Sequence, residues 1–378
     1  MPPSINEKYG LRRENFILDP LHDTQCFART DVDPRAIAES LDTDLVTGLA
    51  PKRLIWGPYG GGKTHTLMRT MVELEGLTEI HAVRVECPDL SKRSRFHDLY
   101  REGIMRELGE EFVVGLIDEA VRSVGMARRE ELTAKLRERL QDEEVAKAAI
   151  RLIDPNFDQL RLWRWVSGVA LSRADLDDLG QTQDLTQTEA ARLADMLRLF
   201  GRLLRELRQK RLVLVLDEME RLRQIGPETI ATFVSGFTRL VDPNQTDVCI
   251  LIGASAALES ELTELFSFQS PVVSRLTSES IMEVNYMHDD DLDSFIEEVI
   301  RFVRSPDADL DALLESARAS TAEPLDQRFF PFSNTAIEAL KSRLTNAMTP
   351  REITMKMTRA LGRAFRTDSP AVTAAALS

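Results

Sequence analysis

The sequence predicts an α/β protein built on a parallel sheet with helices on both faces. Three observations predict it. Apolar runs of strand length at Leu54-Ile55-Trp56, 80–85, 212–216, 248–252 and 281–284 alternate with helical patterns. The first run leads through a glycine-rich stretch into a helix. The third is apolar throughout, as a strand covered on both faces must be, and it ends in two carboxylates.

In chain order, the first fifty residues mix turn formers with short apolar pieces. Asp33-Pro34-Arg35 opens a helix, with an Asp cap and a Pro in its opening turn. The helix after the glycine-rich stretch carries Leu67, Met68 and Met71 on one face. From about 91 to 210 the pattern is helical and charged, broken by Asp154-Pro155-Asn156 and by the polar stretch 180–184; it reads as an insertion, not a second fold of the same kind. The last helix of this insertion has a capping-box pair, Thr186 and Glu189, then an apolar stripe of Leu193, Met196, Leu197, Phe200, Leu203, Leu204 and Leu207. Such a stripe is the face of a core helix, with a partner-binding groove as the alternative. A further helix at 227–240 separates the strands beginning at 212 and 248. After Met287 the chain is helical to about Arg366 and ends in a short Ala-rich tail.

Composition narrows the class. The 378 residues are 43% hydrophobic and 29% charged, which suits an ordered chain large enough for two domains or for one α/β core with a sizeable insertion. No apolar run reaches the roughly 18 residues of a membrane span. Met1-Pro2-Pro3-Ser4 lacks the basic-then-apolar start of a secretory leader, so a cytoplasmic protein is expected. Cys26, Cys87 and Cys249 lie far apart, match no metal-ligand or disulfide spacing, and are expected as reduced core residues. The net charge of −14 argues against nonspecific coating of nucleic acid, which needs clustered Lys and Arg; a local basic strip would still bind DNA.

Two motifs carry chemistry. Gly57-Pro58-Tyr59-Gly60-Gly61-Gly62-Lys63-Thr64 fits the pattern G-x-x-x-x-G-K-[ST] between a strand and a helix. Glycine lets the backbone curl so that several N–H groups point at phosphate oxygens; Lys63 then reaches the β- and γ-phosphates and Thr64 offers its hydroxyl to Mg²⁺. The positive end of the following helix adds to this cradle. A glycine-rich turn beside an exposed lysine is the bland alternative, which the strand-loop-helix context disfavours. The run 212–216 followed by Asp217-Glu218 has the Walker B pattern: Asp217 is expected to hold the Mg²⁺ shell and Glu218 to orient or deprotonate the attacking water. Acidic residues commonly cap strands, so the assignment rests on the two motifs together, which supply complementary halves of one ATP site.

Three further positions are softer. Ser255, just past the 248–252 strand, is placed to hydrogen-bond the γ-phosphate or the lytic water, or simply starts a turn. Arg275, ahead of the last strand, has the place of a residue that reaches across to a neighbouring subunit's nucleotide. Arg351, in Thr349-Pro350-Arg351-Glu352, opens a helix and is either a contact to the nucleotide from above or an ordinary exposed arginine. That helix puts Ile353, Met357, Ala360, Leu361 and Ala364 on one side, and Lys356, Arg359, Arg363 and Arg366 on another. The basic stripe is a solvated face or a DNA contact.

With these elements in order the chain resembles an AAA+ ATPase, a P-loop core followed by a small helical lid, over most of 27–366 outside the insertion. Within that class it is most similar to the initiator clade and its prokaryotic relatives: origin-recognition ATPases, transposition target-selection ATPases and the ATPases of BREX-type phage-defence systems. Phe27-Ala28-Arg29-Thr30-Asp31 resembles the F-x-x-R-x-E segment those proteins place near the adenine, and the loop with its following His65 is close to the defence-ATPase form. The resemblance implies ATP and Mg²⁺ as cofactors, Ser255 as the sensor-one residue, Arg275 as an arginine finger and Arg351 as the sensor-two arginine. It also implies assembly with copies of itself or with partner proteins. Origin recognition is not expected, because initiators carry a winged-helix domain after the lid and 367–378 holds none. The long insertion is also unusual for the compact members of the class.

The expected organisation is an N-terminal segment (1–50) contributing to the nucleotide pocket, a core (51–287) with its insertion at 91–210, a helical lid (288–366) and a flexible tail (367–378). The expected function is ATP hydrolysis coupled to assembly in a DNA-related process such as phage defence or transposition. The alternative is a nucleotide-controlled protein-binding switch with little turnover of its own. Neither an L-S-G-G-Q signature nor an N-K-x-D guanine motif is present, and a small-molecule kinase fits less well.

Overall fold

A computed structural model of the chain describes residues 3–27, 32–77, 79–125, 129–242, 244–258, 260–261, 281–342 and 348–377. It begins with α1 (Ile5–Tyr9), α2 (Pro34–Val46), β1 (Lys52–Gly57), α3 (Lys63–Glu75) and β2 (Ile80–Glu86). A helical stretch follows: α4 (Phe96–Asp98), a π-helical segment (Leu99–Met105), α5 (Arg106–Leu108), α6 (Glu110–Ser123), α7 (Arg129–Leu140), α8 (Glu143–Ala149), α9 (Gln159–Val166), α10 (Arg173–Leu179) and α11 (Ala190–Arg208). Next come β3 (Arg211–Asp217), α12 (Pro227–Leu240), β4 (Val248–Ser255) and β5 (Ile281–Glu283). The chain closes with α13 (Asp289–Val303), α14 (Leu310–Ser320), α15 (Asn334–Ser342) and α16 (Pro350–Arg366).

Two compact units interleave along the sequence instead of following consecutive segments. The smaller comprises Met1–Ala36, Gly57–Val72 and Glu283–Ser378; the larger comprises Ile37–Trp56 and Glu73–Met282.

The larger unit is organised by the sheet, whose five parallel strands run in the order β2-β3-β4-β1-β5. Leu212 to Leu216 of β3 are fully buried, and β3 pairs in register with a neighbour on each side: Glu86 opposite Asp217 on β2, Leu216 opposite Ile252 on β4. A strand flanked and covered in this way has no polar face, which is why it reads as an unbroken apolar run. The insertion supplies part of the cover. Leu99, Tyr100, Trp165 and Phe200 belong to the same hydrophobic core as Val85, Leu214 and Ile250, so 91–210 is part of one core with the sheet. The α11 stripe is buried from Leu193 through Leu204, as expected of a core face, with Leu207 partly buried against the same cluster.

The start of α11 corrects one expectation. Thr186 does not cap the helix; its backbone N–H and its hydroxyl both donate to Asp184 Oδ1, so its side chain is already engaged two residues back. Glu189 becomes the cap residue and makes no side-chain cap bond.

In the smaller unit the N-terminal residues pack on the C-terminal helices. Tyr9, Leu11, Phe16 and Cys26 share a core with Phe295, Ile300, Ile353 and Leu361, and the Phe16 N–H donates to Thr358 Oγ1 at 2.9 Å. Ile353, Met357, Ala360, Leu361 and Ala364 of α16 are buried as their spacing predicts; Arg359, Arg363 and Arg366 are exposed and Lys356 half-exposed. Residues after Arg366, expected to be a flexible tail, are packed. Ala371 and Val372 are fully buried, the Val372 N–H donates to Pro331 O at 2.8 Å, and Val372 O accepts from Ser333 N–H at 2.9 Å.

All three cysteines are buried and form no disulfide, and burial pushes each thiol up to about 12. Among the described residues no helix is long and apolar enough to cross a membrane.

Packing around α11 generates a prediction. A Cβ added at Gly201 would lie 2.2 Å from the Asp247 carbonyl oxygen, whereas one at Gly115 in α6 would meet only Arg208 Nη2 at 3.5 Å. Gly201→Ala is therefore expected to destabilise the larger unit by about 1–3 kcal/mol through overpacking. Gly115→Ala is expected to stabilise it by about 0.5–1 kcal/mol through helix propensity. Urea unfolding followed by circular dichroism checks both; equal midpoints for the two variants would contradict the packing described.

Candidate nucleotide site

The glycine loop begins where β1 ends, and its shape depends on positions that tolerate no side chain. A Cβ at Gly57 would lie 2.1 Å from the Val284 carbonyl oxygen, so the chain passes Val284 at backbone contact. Gly60 and Gly62 have φ of 77° and 99°, the left-handed region that glycine enters at no steric cost. The turn is closed by the Gly61 N–H donating to Pro58 O at 3.0 Å. Lys63 is 7% exposed, and its amine donates to Gly57 O at 3.1 Å and Pro58 O at 2.8 Å, which turns the cation back over the loop. Thr64 and His65 continue into α3, whose first turn is tied by Thr66 Oγ1 donating to Gly62 O at 3.1 Å.

The N-terminal segment and α16 both meet this loop-helix element within the smaller unit. His65 Nε2 lies 3.2 Å from Asp23 O, Arg69 Nη1 donates to Thr24 O at 3.4 Å, and Asp23 is paired with Arg13 at 2.7 Å. The Phe27 ring stands edge-on to the His65 imidazole, with centroids 5.8 Å apart and planes at 89°. Burial holds the His65 imidazole below its ordinary pKa, which keeps it neutral. The other residues of the segment read as F-x-x-R-x-E, Ala28 to Asp31, lie outside the described residues. Arg351, the second residue of α16, is brought against the loop: Nη1 donates to Tyr59 Oη at 2.8 Å, and the guanidinium lies 5.4 Å from the Tyr59 ring centroid.

Asp217 and Glu218 belong to the larger unit, at the carboxyl end of β3. Asp217 is 2% exposed; Oδ2 accepts from Arg84 Nη2 at 3.2 Å and Oδ1 from the Glu218 N–H at 3.0 Å. The two donors hold the carboxylate in one orientation. Glu218 departs from the strand into the left-handed region (φ 57°) and pairs with Arg221, which also donates to Cys87 O and pairs with Glu86 at 3.1 Å. Burial raises the Glu218 carboxyl above its ordinary pKa, and Glu86, Asp217 and Glu220 act in the same direction against the lowering by Arg221. Ser255 is the last residue of β4, which runs three residues beyond the expected 248–252; its N–H donates to Glu220 Oε2 at 2.9 Å. Arg275 lies outside the described residues.

Arg84, Glu86, Glu220 and Arg221 were not singled out from the sequence. Arg84 and Glu86 reach this site only through the β2–β3 register, and Arg221 through a 3-10 turn after β3. No local pattern marks them.

Among the described residues no group of three or more His, Cys, Asp or Glu is arranged to hold a metal ion.

The parallel sheet and the glycine loop between β1 and α3 define an α/β P-loop NTPase fold. No protein-family model and no curated protein matches the chain. Among solved structures it is similar to Cdc6p from Pyrobaculum aerophilum, with 14% identity over 94% of this chain and 68% of that chain and a TM-score of 0.40. It is similar to the ORC2 protein of Aeropyrum pernix, with 11% identity over 91% and 65% and a TM-score of 0.44. A chain of Drosophila ORC bound to DNA gives 11% identity over 100% and 69%, also at a TM-score of 0.44.

Lys63→Ala removes the cation from the loop while leaving its glycines in place. ATP binding is expected to weaken at least about 10-fold, measured by titration with a fluorescent ATP analogue. Unchanged binding would mean that the loop is only a turn.

Proposed function

We propose that the chain binds and hydrolyses ATP as an AAA+-like ATPase, and couples turnover to assembly with itself or with partners in a DNA-related process such as phage defence or transposition. The observation that carries this reading is the pair of strand ends: β1 runs into the glycine loop with Lys63 and Thr64, and β3 of the same parallel sheet ends in the ordered Asp217 carboxylate and Glu218. Ligands of such sheets bind at the carboxyl ends of the strands.

In this reading the loop N–H groups and Lys63 bind the phosphates, and Tyr59 and His65 flank them. Asp217 and the Thr64 hydroxyl hold Mg²⁺, which supplies charge neutralisation on the phosphate oxygens when bound. Glu218 orients or deprotonates the water, its raised pKa matching a group that accepts a proton. Ser255 serves as the sensor-one residue, Arg351 contacts the nucleotide as sensor two, and Arg275 acts on a neighbouring copy's nucleotide. The exposed Arg359, Arg363 and Arg366, with Lys356, form the surface proposed for DNA.

One observation favours a second reading, the nucleotide-controlled switch with little turnover. Glu218 is held in an ion pair by Arg221, and a carboxylate so engaged must be released before it can take a proton.

Steady-state ATP hydrolysis measured over a range of protein concentrations, with and without double-stranded DNA, separates the two. Cooperative turnover that Glu218→Gln lowers about 100-fold or more, and that Arg275→Ala prevents from rising with concentration, supports the ATPase. Tight ATP binding with negligible turnover throughout would overturn the ATPase reading and leave the switch.

A further inference from the structure

Tyr59 is an unusual residue to find at the head of a phosphate-binding loop, because it is large, aromatic and 72% exposed. Its backbone belongs to the loop, but its side chain is engaged from the opposite direction. One guanidinium, that of Arg351, both hydrogen-bonds the phenol oxygen at 2.8 Å and lies 5.4 Å from the ring centroid. A cation over an aromatic face is attracted by the ring quadrupole, and the hydrogen bond to the phenol fixes where along the ring it sits.

The root of Arg351 is fixed by different contacts. Thr349 and Glu352 form a reciprocal capping box at the start of α16, with the Thr349 N–H donating to Glu352 Oε2 at 2.9 Å and Thr349 Oγ1 accepting from the Glu352 N–H at 3.3 Å. Pro350 occupies the first position of the helix. A Cβ at Gly60 would come within 3.2 Å of both Arg351 Cβ and Thr349 Oγ1, so the helix start sits directly on the loop. The backbone of Arg351 is therefore a fixed pivot beside the loop's N–H groups, and only its side-chain torsions are free. From that pivot the guanidinium has two competing acceptors: the Tyr59 phenol, and a phosphate held by the same loop.

We propose that Tyr59 is a positioning residue that holds the Arg351 guanidinium in reserve, so that a nucleotide must draw the arginine off Tyr59 in order to use it. The inference rests on the nucleotide-binding reading above and adds the competitor. Nucleotide affinity is then lowered by the strength of the Tyr59–Arg351 contact, and weakening that contact tightens binding. The effect runs only through Arg351.

The test is calorimetric titration of the full chain with a non-hydrolysable ATP analogue and Mg²⁺, using wild type, Tyr59→Phe, Tyr59→Ala, Arg351→Ala and the Tyr59→Phe/Arg351→Ala double variant. Tyr59→Phe keeps the ring and loses the hydrogen bond, and is expected to bind about 3- to 10-fold tighter. Tyr59→Ala, which loses the ring as well, is expected to gain more. In the Arg351→Ala background Tyr59→Phe is expected to change nothing, because the competition needs both partners. Unchanged or weaker binding by Tyr59→Phe, or the same gain with and without Arg351, would overturn the proposal. A wild-type chain that binds no nucleotide would instead remove the P-loop reading on which it rests.

Discussion

Burial of β3 and β4 on both faces is the constraint that shapes the larger unit. Their backbone groups are satisfied by neighbouring strands, but their side chains alternate between two faces that must each be taken out of water. The helical stretch that enters the sequence between β2 and β3 meets part of this requirement, with Trp165 and Phe200 in the same core as Leu214 and Ile250. An insertion that shares one core with the sheet cannot be an appendage. It also limits where polar chemistry is possible, since at their carboxyl ends β3 and β4 carry polar side chains only where the apolar runs stop, at Asp217 and Ser255.

That edge has its own electrostatic logic. Glu86, Asp217 and Glu220 disfavour ionisation of Glu218, and two arginines stand among these carboxylates: Arg84 on the buried Asp217, and Arg221 on Glu218 and Glu86. The division differs in consequence. Asp217 accepts from the Arg84 guanidinium and from the Glu218 N–H, whereas Glu218 pairs with Arg221. In the smaller unit the glycine loop follows a parallel principle, with the Lys63 ammonium on two backbone carbonyls and the Arg351 guanidinium on Tyr59. Charged groups in both places have defined protein partners.

Local signals made much of this legible. The apolar run 212–216, the glycine loop before α3, the α11 stripe and the buried face of α16 all follow from periodicity or from a contiguous motif, because each reports a backbone preference or a burial pattern within a few residues. Thr186 shows the limit even at short range, where Asp184 competed for the hydroxyl that was expected to cap a helix. The continuation of β4 through Ser255 was hidden for a related reason: Gly253 and Ala254 are weak strand formers, and the strand continues by tertiary context.

By itself the sequence determined the class of fold, the positions of the glycine loop and the acidic strand end, and which helix faces are buried, since these depend on neighbours in the chain. Only the tertiary structure decided that Arg84 and Glu86 stand beside Asp217, that Phe27 meets His65, that Val372 is buried beneath the C-terminal helices, and that Arg351 reaches Tyr59 across 292 residues of sequence. Such contacts are set by strand register and by packing of distant segments. Their free energy comes from partners that no local window contains, and they leave no pattern in the residues that make them.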